Sequence, residues 1–221
     1  MSYESGRDFV GIRAFETRPF GAYRHALKRT LDILFVLLVA PIALLILGVA
    51  AILVKRDGAS AFYCQERIGQ NGTIYKMYKL RSMVPNADNL LEHHLEQNPE
   101  ARKEWDLYQK LSHDPRITPI GRILRKSSID ELPQLLNVLL GDMSLVGPRP
   151  MMRNQKDLYP GAAYYSMRPG ITGYWQISER NECSFAERAL FDTSYYRDLS
   201  LRTDFVVLLR TVSVVLRGTG H

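Results

Sequence analysis

The sequence predicts an α+β protein, mainly helical with a small β-hairpin, that enters a membrane from one side. Three observations carry this: an uncharged apolar run interrupted by a proline, an Asn-Gly turn between two strand-like runs, and helix-patterned segments over most of the remainder. The 221 residues are 46% hydrophobic, enough for a sizeable core. A net charge of +6, from 29 basic and 23 acidic residues, suits an anionic membrane surface, phosphorylated substrates or nucleic acid. The basic residues are dispersed and no nucleic-acid motif accompanies them, so nucleic acid is the poorest of these partners. Cys64 and Cys183 stand far apart with no metal-ligand spacing and read as reduced thiols of a cytoplasmic compartment.

Met1 to about Tyr23 mixes Gly, Arg, Glu and aromatic residues without period, so residues 1–27 form a flexible or surface-lying lead. Residues 28–56 form the membrane element. Ile33 to Val54 is uncharged and almost wholly apolar. At a rise of about 1.5 Å per residue it reaches about 33 Å, the thickness of a bilayer's hydrocarbon core. Pro41 lies inside the run and predicts a kink or break, with a shorter arm before it and a longer one after. Basic residues flank both ends: Arg24, Lys28 and Arg29 before, Lys55 and Arg56 after. A single span carries its Lys/Arg excess on the cytoplasmic side, so this symmetry predicts a re-entrant helix-break-helix that enters and leaves by one face. Asp32, at the head of the run, reads as a cap or as a partner of its basic neighbours.

Residues 57–221 form the remaining, cytoplasmic domain. Ala61–Ile68 and Thr73–Leu80 flank Asn71-Gly72 and predict a hairpin. Lys79 and Arg81 then share one strand face and are candidates for phosphate binding, with solvated edge charges as the plain alternative. Asn86–Leu111 is polar and helical in pattern. Met151–Tyr159 reads as a short helix and Ser184–Leu199 as a helix begun by Ser184 with Glu187. Leu201–Leu216 is a last helix that either lies in the membrane interface or packs on the body.

The chemistry points to Lys126-Ser-Ser-Ile-Asp130-Glu131-Leu-Pro-Gln134, where two adjacent carboxylates open the apolar run Leu135–Leu140. Ser128 and Glu131 make a capping-box pattern with its own structural justification. Asp130 is less well explained as a cap and is the candidate that faces a ligand. Arg122, Arg125 and Lys126 precede the pair, and the turn-rich Gly141–Pro150 segment offers to bring Arg149 back beside it. Arginine forks fit phosphate oxygens, and a phosphate beside two carboxylates calls for a divalent cation. The loop from Arg168 to Gln176, with Tyr174 and Trp175, could stack a nucleotide base and bond its edge, or bury Trp175 in the core.

Together these motifs resemble the bacterial sugar transferases, the monotopic phosphoglycosyl transferases that begin exopolysaccharide and O-antigen synthesis. The resemblance runs from about Lys28 to Gly218. It rests on Lys28-Arg29 with Asp32 before the Pro-broken segment, Gln65-Glu-Arg-Ile-Gly69, Tyr78-Lys-Leu-Arg-Ser-Met83, Asp130-Glu-Leu-Pro-Gln134, Val146-Gly-Pro-Arg-Pro150 and Arg168-Pro-Gly-Ile-Thr-Gly173, in that order. It implies a membrane protein of the bacterial inner membrane with its catalytic domain on the cytoplasmic face and interfacial amphipathic helices. It implies transfer of a hexose 1-phosphate from a UDP-hexose to undecaprenyl phosphate, with Asp130 as nucleophile, an aspartyl phosphosugar intermediate and release of UMP. Glu131 would hold Mg²⁺, Arg149 would hold phosphate, Lys79 and Arg81 would neutralise charge, and Arg168 and Gln176 would bind substrate. The length is similar to the family's short, exopolysaccharide-initiating form, which favours galactose, then glucose, and leaves a homodimer open. One departure is Ala40, where many relatives have Ser before the membrane proline, which removes a hydroxyl able to bond the interrupted backbone. The competing reading is a non-catalytic basic scaffold of the membrane surface. It explains the charge and the apolar run but not Asp130 and Glu131 beside Arg149.

Overall fold

The computed structural model describes residues 21–178 and 184–216; most of the N-terminal lead and Cys183 lie outside them. A π-helical turn, Tyr23–Leu27, runs directly into helix α1, Lys28–Val54, so the end of the predicted lead is already helical. Among the described residues α1 is the one helix long and apolar enough to cross a membrane. The predicted separation into two arms is not seen in the backbone assignment, because α1 continues through Pro41 as one 27-residue helix. Proline removes a single i→i−4 donor, and the apolar residues on either side keep the remaining ladder.

Both ends of α1 are fastened to the same body. At the start, Lys28 Nζ lies 2.6 Å from Asp204 Oδ2, and Arg29 donates to the carbonyls of Val138 and Leu139. Asp32 is buried, accepting from Ser144 Oγ at 2.6 Å and Leu145 N at 3.3 Å, so its hydrogen-bond partners are neutral donors of the body, while Lys28 lies close enough to act on its charge. At the far end Ala50 and Val54 pack with Ala61, Leu80 and Leu124, and Arg81 Nη2 donates to Val54 O at 3.2 Å. Between these anchors the helix is bare: Leu38, Ile42 and Leu45 are 77%, 68% and 72% exposed.

Strands β1, Phe62–Ile68, and β2, Ile74–Leu80, form the predicted antiparallel hairpin. Its turn needs left-handed backbone, and Asn71 (φ 56°) and Gly72 (φ 77°) supply it at low cost. The polar segment resolves into two helices, α2, Ala87–Gln97, and α3, Pro99–Tyr108. Helix α4, Pro119–Lys126, starts on Thr118, whose Oγ1 accepts from Gly121 N at 2.9 Å. Gly121 lets α4 close onto the end of the hairpin: a Cβ there would sit 1.9 Å from Ser82 O.

Helix α5, Gln134–Leu140, leads to a pairing that the turn-rich composition concealed. Strand β3, Ser144–Val146, runs parallel to β4, Gly170–Thr172, with Ser144 opposite Gly170 and Val146 opposite Thr172. Met151–Tyr159 holds a 3₁₀ turn, Arg153–Leu158. Helices α6, Tyr174–Ile177, α7, Arg188–Asp198, and α8, Leu201–Leu216, complete the described residues. The main core joins Val36 of α1, Met77, Val138, Met143, Val146, Tyr195 and Val207, so α1, hairpin, α5, β3, α7 and α8 share one apolar centre. Helix α8 packs Asp204 and Val207 inward and exposes Leu201, Phe205, Leu209 and Val212 on the opposite side. Helices α4 and α5 likewise expose Ile123, Leu136, Leu139 and Leu140.

Candidate active site

The two carboxylates lie in a short 3₁₀ turn, Ile129–Glu131, between α4 and α5. Ser128 adopts left-handed backbone (φ 56°), and the Glu131 N–H bonds to the Ser128 carbonyl at 3.2 Å. The capping box does not form, because the Glu131 side chain turns to Lys79 instead. Ile129 packs among Ala50, Val54 and Leu124, which seats this turn on the far end of α1.

Lys79 arrives from β2, placed by Asn137 of α5. That side chain is fully buried, and it continues the hairpin edge: Asn137 Nδ2 donates to Lys76 O at 2.7 Å, and Tyr78 N donates to Asn137 Oδ1 at 3.0 Å. The next residue along the strand then projects its ammonium to the acidic turn, 2.8 Å from Glu131 Oε1 and 3.8 Å from Asp130 Oδ2. Asp130 is only 4% exposed. Burial pushes its carboxyl above the usual carboxylate range, Lys79 draws it back down, Glu131 adds to the rise, and Arg125 and Arg149 oppose it. Arg125 is held nearby by its Nε bond to Ser82 Oγ at 2.9 Å.

Beside this turn opens a small, solvent-open cleft, lined by Arg67, Lys79, Glu131, Gln134, Arg149 and Ile171 among others. The structure therefore brings four of the predicted site residues together: Asp130, Glu131, Lys79 and Arg149. The other three, Arg81, Arg168 and Gln176, are not among the residues that line this cleft. Strand β2 ends at Leu80, so Arg81 leaves the strand face of Lys79 and donates to the carbonyls of Ser60, Met83 and Val54. Arg168 Nε binds Gly141 O at 2.9 Å, behind the end of α5, and Gln176 is buried on α6. Trp175 is buried too, with the Arg188 and Arg149 guanidiniums 4.2 Å and 5.3 Å from its ring centroid, so its faces serve the core and not a stacking base.

Arg67, Arg125 and Gln134 also stand at the site, beyond the residues that the sequence predicts there. Arg67 had a readable signal, since it shares a strand face with Gln65 opposite a strand that carries Lys79. Arg125 stands among the cations that precede the carboxylates, and Gln134 closes the Asp130–Gln134 motif. Among the described residues no three His, Cys, Asp or Glu side chains gather as a preformed metal cage. A Mg²⁺ ion fits in another way, because it is commonly held by one or two carboxylates with substrate phosphates and water. Glu131, the acidic residue of the cleft lining, offers the first of these.

The arrangement is an acidic nucleophile candidate, a second carboxylate and several cations at a cleft. Comparison with known proteins agrees in kind. The bacterial sugar transferase family profile matches residues 23–218. The exopolysaccharide production protein ExoY of Sinorhizobium fredii is 44% identical over 219 residues, covering 96% of this chain and 94% of the relative. The undecaprenyl-phosphate galactose phosphotransferase of Salmonella typhimurium is 45% identical over 196 residues, 88% of this chain and 41% of the relative. The UDP-glucose:undecaprenyl-phosphate glucose-1-phosphate transferase of Caulobacter vibrioides is 38% identical over 201 residues, 86% of this chain and 69% of the relative.

Proposed function

The chain belongs to the bacterial sugar transferase family, and from that premise we propose that it moves a hexose 1-phosphate from a UDP-hexose to undecaprenyl phosphate at the cytoplasmic face of the bacterial inner membrane. The observation that carries this reading is the Asp130–Glu131 pair, bridged by Lys79 at a cleft that Arg149 also lines.

In the first half-reaction Asp130 attacks the β-phosphorus of the donor. A bond forms from the carboxylate oxygen to phosphorus, the bond to the bridging oxygen breaks, and UMP departs with its electron pair. In the second, a phosphate oxygen of the lipid attacks the same phosphorus, and Asp130 leaves as a carboxylate. Splitting the exchange this way lets two anionic substrates use one cleft in turn. Lys79 and the nearby Arg125 oppose the rise that burial gives the Asp130 pKa, and so favour its ionised, attacking form. Arg149 takes phosphate oxygens in a fork and balances the charge that builds up at phosphorus. Glu131 would hold Mg²⁺, which would supply charge neutralisation when bound.

The membrane reading draws on α1. A straight crossing would put its ends on opposite sides of the bilayer, whereas Lys28–Val36 and Ala50–Val54 are both fixed to one polar body. A re-entrant path, bent at Pro41 where a donor is missing, would keep both attachments on one side of the bilayer and give the exposed leucines a lipid surrounding. The exposed apolar residues of α4, α5 and α8 sit on helices that touch α1 through Leu124, the Val138 carbonyl and Asp204, which suits a body resting in the interface.

The test is intact mass spectrometry of nanodisc-held protein with Mg²⁺ and a panel of UDP-hexoses, with no lipid acceptor. The expected result is a hexose-phosphate adduct with one sugar, release of UMP, and neither in Asp130→Asn. Turnover with undecaprenyl phosphate but no adduct would replace the covalent route by direct transfer. No adduct and no turnover would favour the scaffold.

A further inference from the structure

The cleft holds more positive charge than its own carboxylates use. Lys79 is committed to Glu131 and Asp130. Arg67 and Arg149 both line the cleft, and among the described residues neither pairs with a carboxylate. Glu66, the acid next to Arg67 in sequence, points to the other face of β1 and pairs with Arg153 at 3.0 Å. What Arg67 does touch is neutral: Nη2 donates to Gln65 Oε1 at 2.5 Å and Nη1 to Pro150 O at 3.3 Å, while its buried Nε has no partner. Burial first, then the charge of Arg149, lowers its pKa to about 10, still charged at neutral pH. A charge largely withdrawn from water and facing a like charge is an unfavourable arrangement unless an anion completes it.

We propose that Arg67 is a second phosphate-binding arginine of this site, its guanidinium and that of Arg149 closing from two sides on one phosphoryl group of a substrate. The geometry suits the task. Arg67 lies opposite Tyr75 in the hairpin, on the same strand face as Met77 and Lys79, and all three of Arg67, Met77 and Lys79 reach the cleft. Its bond to Pro150 O ties β1 to the loop that carries Arg149, so one backbone carbonyl fixes the spacing of the two forks. This inference rests on the proposed function, which supplies two phosphoryl sources, the donor diphosphate and the lipid phosphate.

Three proteins test it, wild type, Arg67→Gln and Arg67→Lys, in two kinetic arms and one binding arm. Adduct formation from UDP-hexose without lipid reads the donor, and transfer from preformed adduct to undecaprenyl phosphate reads the acceptor. The loss of a charged hydrogen-bonding fork is expected to raise the KM of the affected arm by about 10- to 100-fold in Arg67→Gln, with partial recovery in Arg67→Lys. The arm that responds names the source. In the binding arm, inorganic pyrophosphate is expected to raise the melting temperature of wild type and not of Arg67→Gln. This arm stands even if no sugar nucleotide is turned over, and it separates failure of the inference from failure of the functional reading. Wild-type KM in both kinetic arms, or equal protection by pyrophosphate, would reduce Arg67 to a strut between β1 and Pro150 and overturn the proposal.

Discussion

Lys79 Nζ stands 3.8 Å from Asp130 Oδ2, the nearest cation in ion-pair range of a carboxylate whose burial works against its ionisation. The pair is asymmetric, since the shorter contact, 2.8 Å, goes to Glu131. Lys79 is therefore anchored on Glu131 and lowers the Asp130 pKa from a longer range, without being locked to the nucleophile candidate.

Removing that ammonium is expected to raise the Asp130 pKa further, because the largest charge opposing its desolvation is gone. Only the ionised carboxylate attacks, so adduct formation in Lys79→Met should move to higher pH and slow about 10- to 100-fold at pH 7. Lys79→Arg keeps the charge and should retain most of the wild-type profile. Rates of adduct formation measured from pH 5 to 9 check this; an unshifted profile in Lys79→Met would assign control of Asp130 to Arg125 and Arg149.

The path of α1 predicts a labelling pattern. In protein with Cys64 and Cys183 replaced by Ser, single cysteines at Ala26 and at Gly58 flank the apolar segment. A re-entrant helix places both on the cytoplasmic side, where an impermeant maleimide added outside spheroplasts modifies neither. Reaction at one of them would establish a span.

Much of this architecture was legible because local chemistry agreed with the final fold. Asn71-Gly72 can satisfy a tight left-handed turn by itself, and the residues read as a last helix, Leu201–Leu216, are all helical. The β3–β4 pair was not legible, since two three-residue strands have no room for a period and meet only through packing across residues far apart in sequence. Arg81 shows the cost of a boundary. One residue beyond the end of β2, it leaves the face it would share with Lys79 and braces the end of α1. Asp130 and Glu131 could be named from sequence, but the cation between them depends on how the hairpin docks on α5.

Buried Asp192 gives a pH dependence of stability. It accepts from Tyr159 Oη at 2.6 Å, and burial pushes its pKa up to about 7 from 3.8. A raised folded-state pKa means that the stability it contributes is full below the unfolded value near 3.8 and is lost as pH rises through about 7. The change is on the order of 4 kcal/mol for about three pKa units. Asp192→Asn cannot ionise, so its melting temperature should fall less than that of wild type between pH 5 and pH 8. Parallel curves would mean that Asp192 titrates in its ordinary range.

Asn137 links stability to the site. Its amide meets Lys76 O and Tyr78 N, the backbone groups that bracket Met77 and precede Lys79, and it has no exposure to water. Asn137→Leu leaves both backbone groups buried without these partners, at about 1–3 kcal/mol each. The main core around Val138 and Met143 should still hold the fold. The hairpin would no longer be pinned to α5, so Lys79 would lose its fixed distance to the acidic turn, and misplacement by about 1 Å can cost 10²-fold in rate. The expected variant is folded, melts lower, binds UDP-hexose and forms adduct slowly. Asn137→Asp separates the two effects: its side-chain oxygen can still accept from Tyr78 N, but the donor to Lys76 O is lost. An adduct rate between wild type and Asn137→Leu would show that the edge contact sets the position of Lys79. Wild-type rates in both variants, at lowered melting temperatures, would confine Asn137 to the fold.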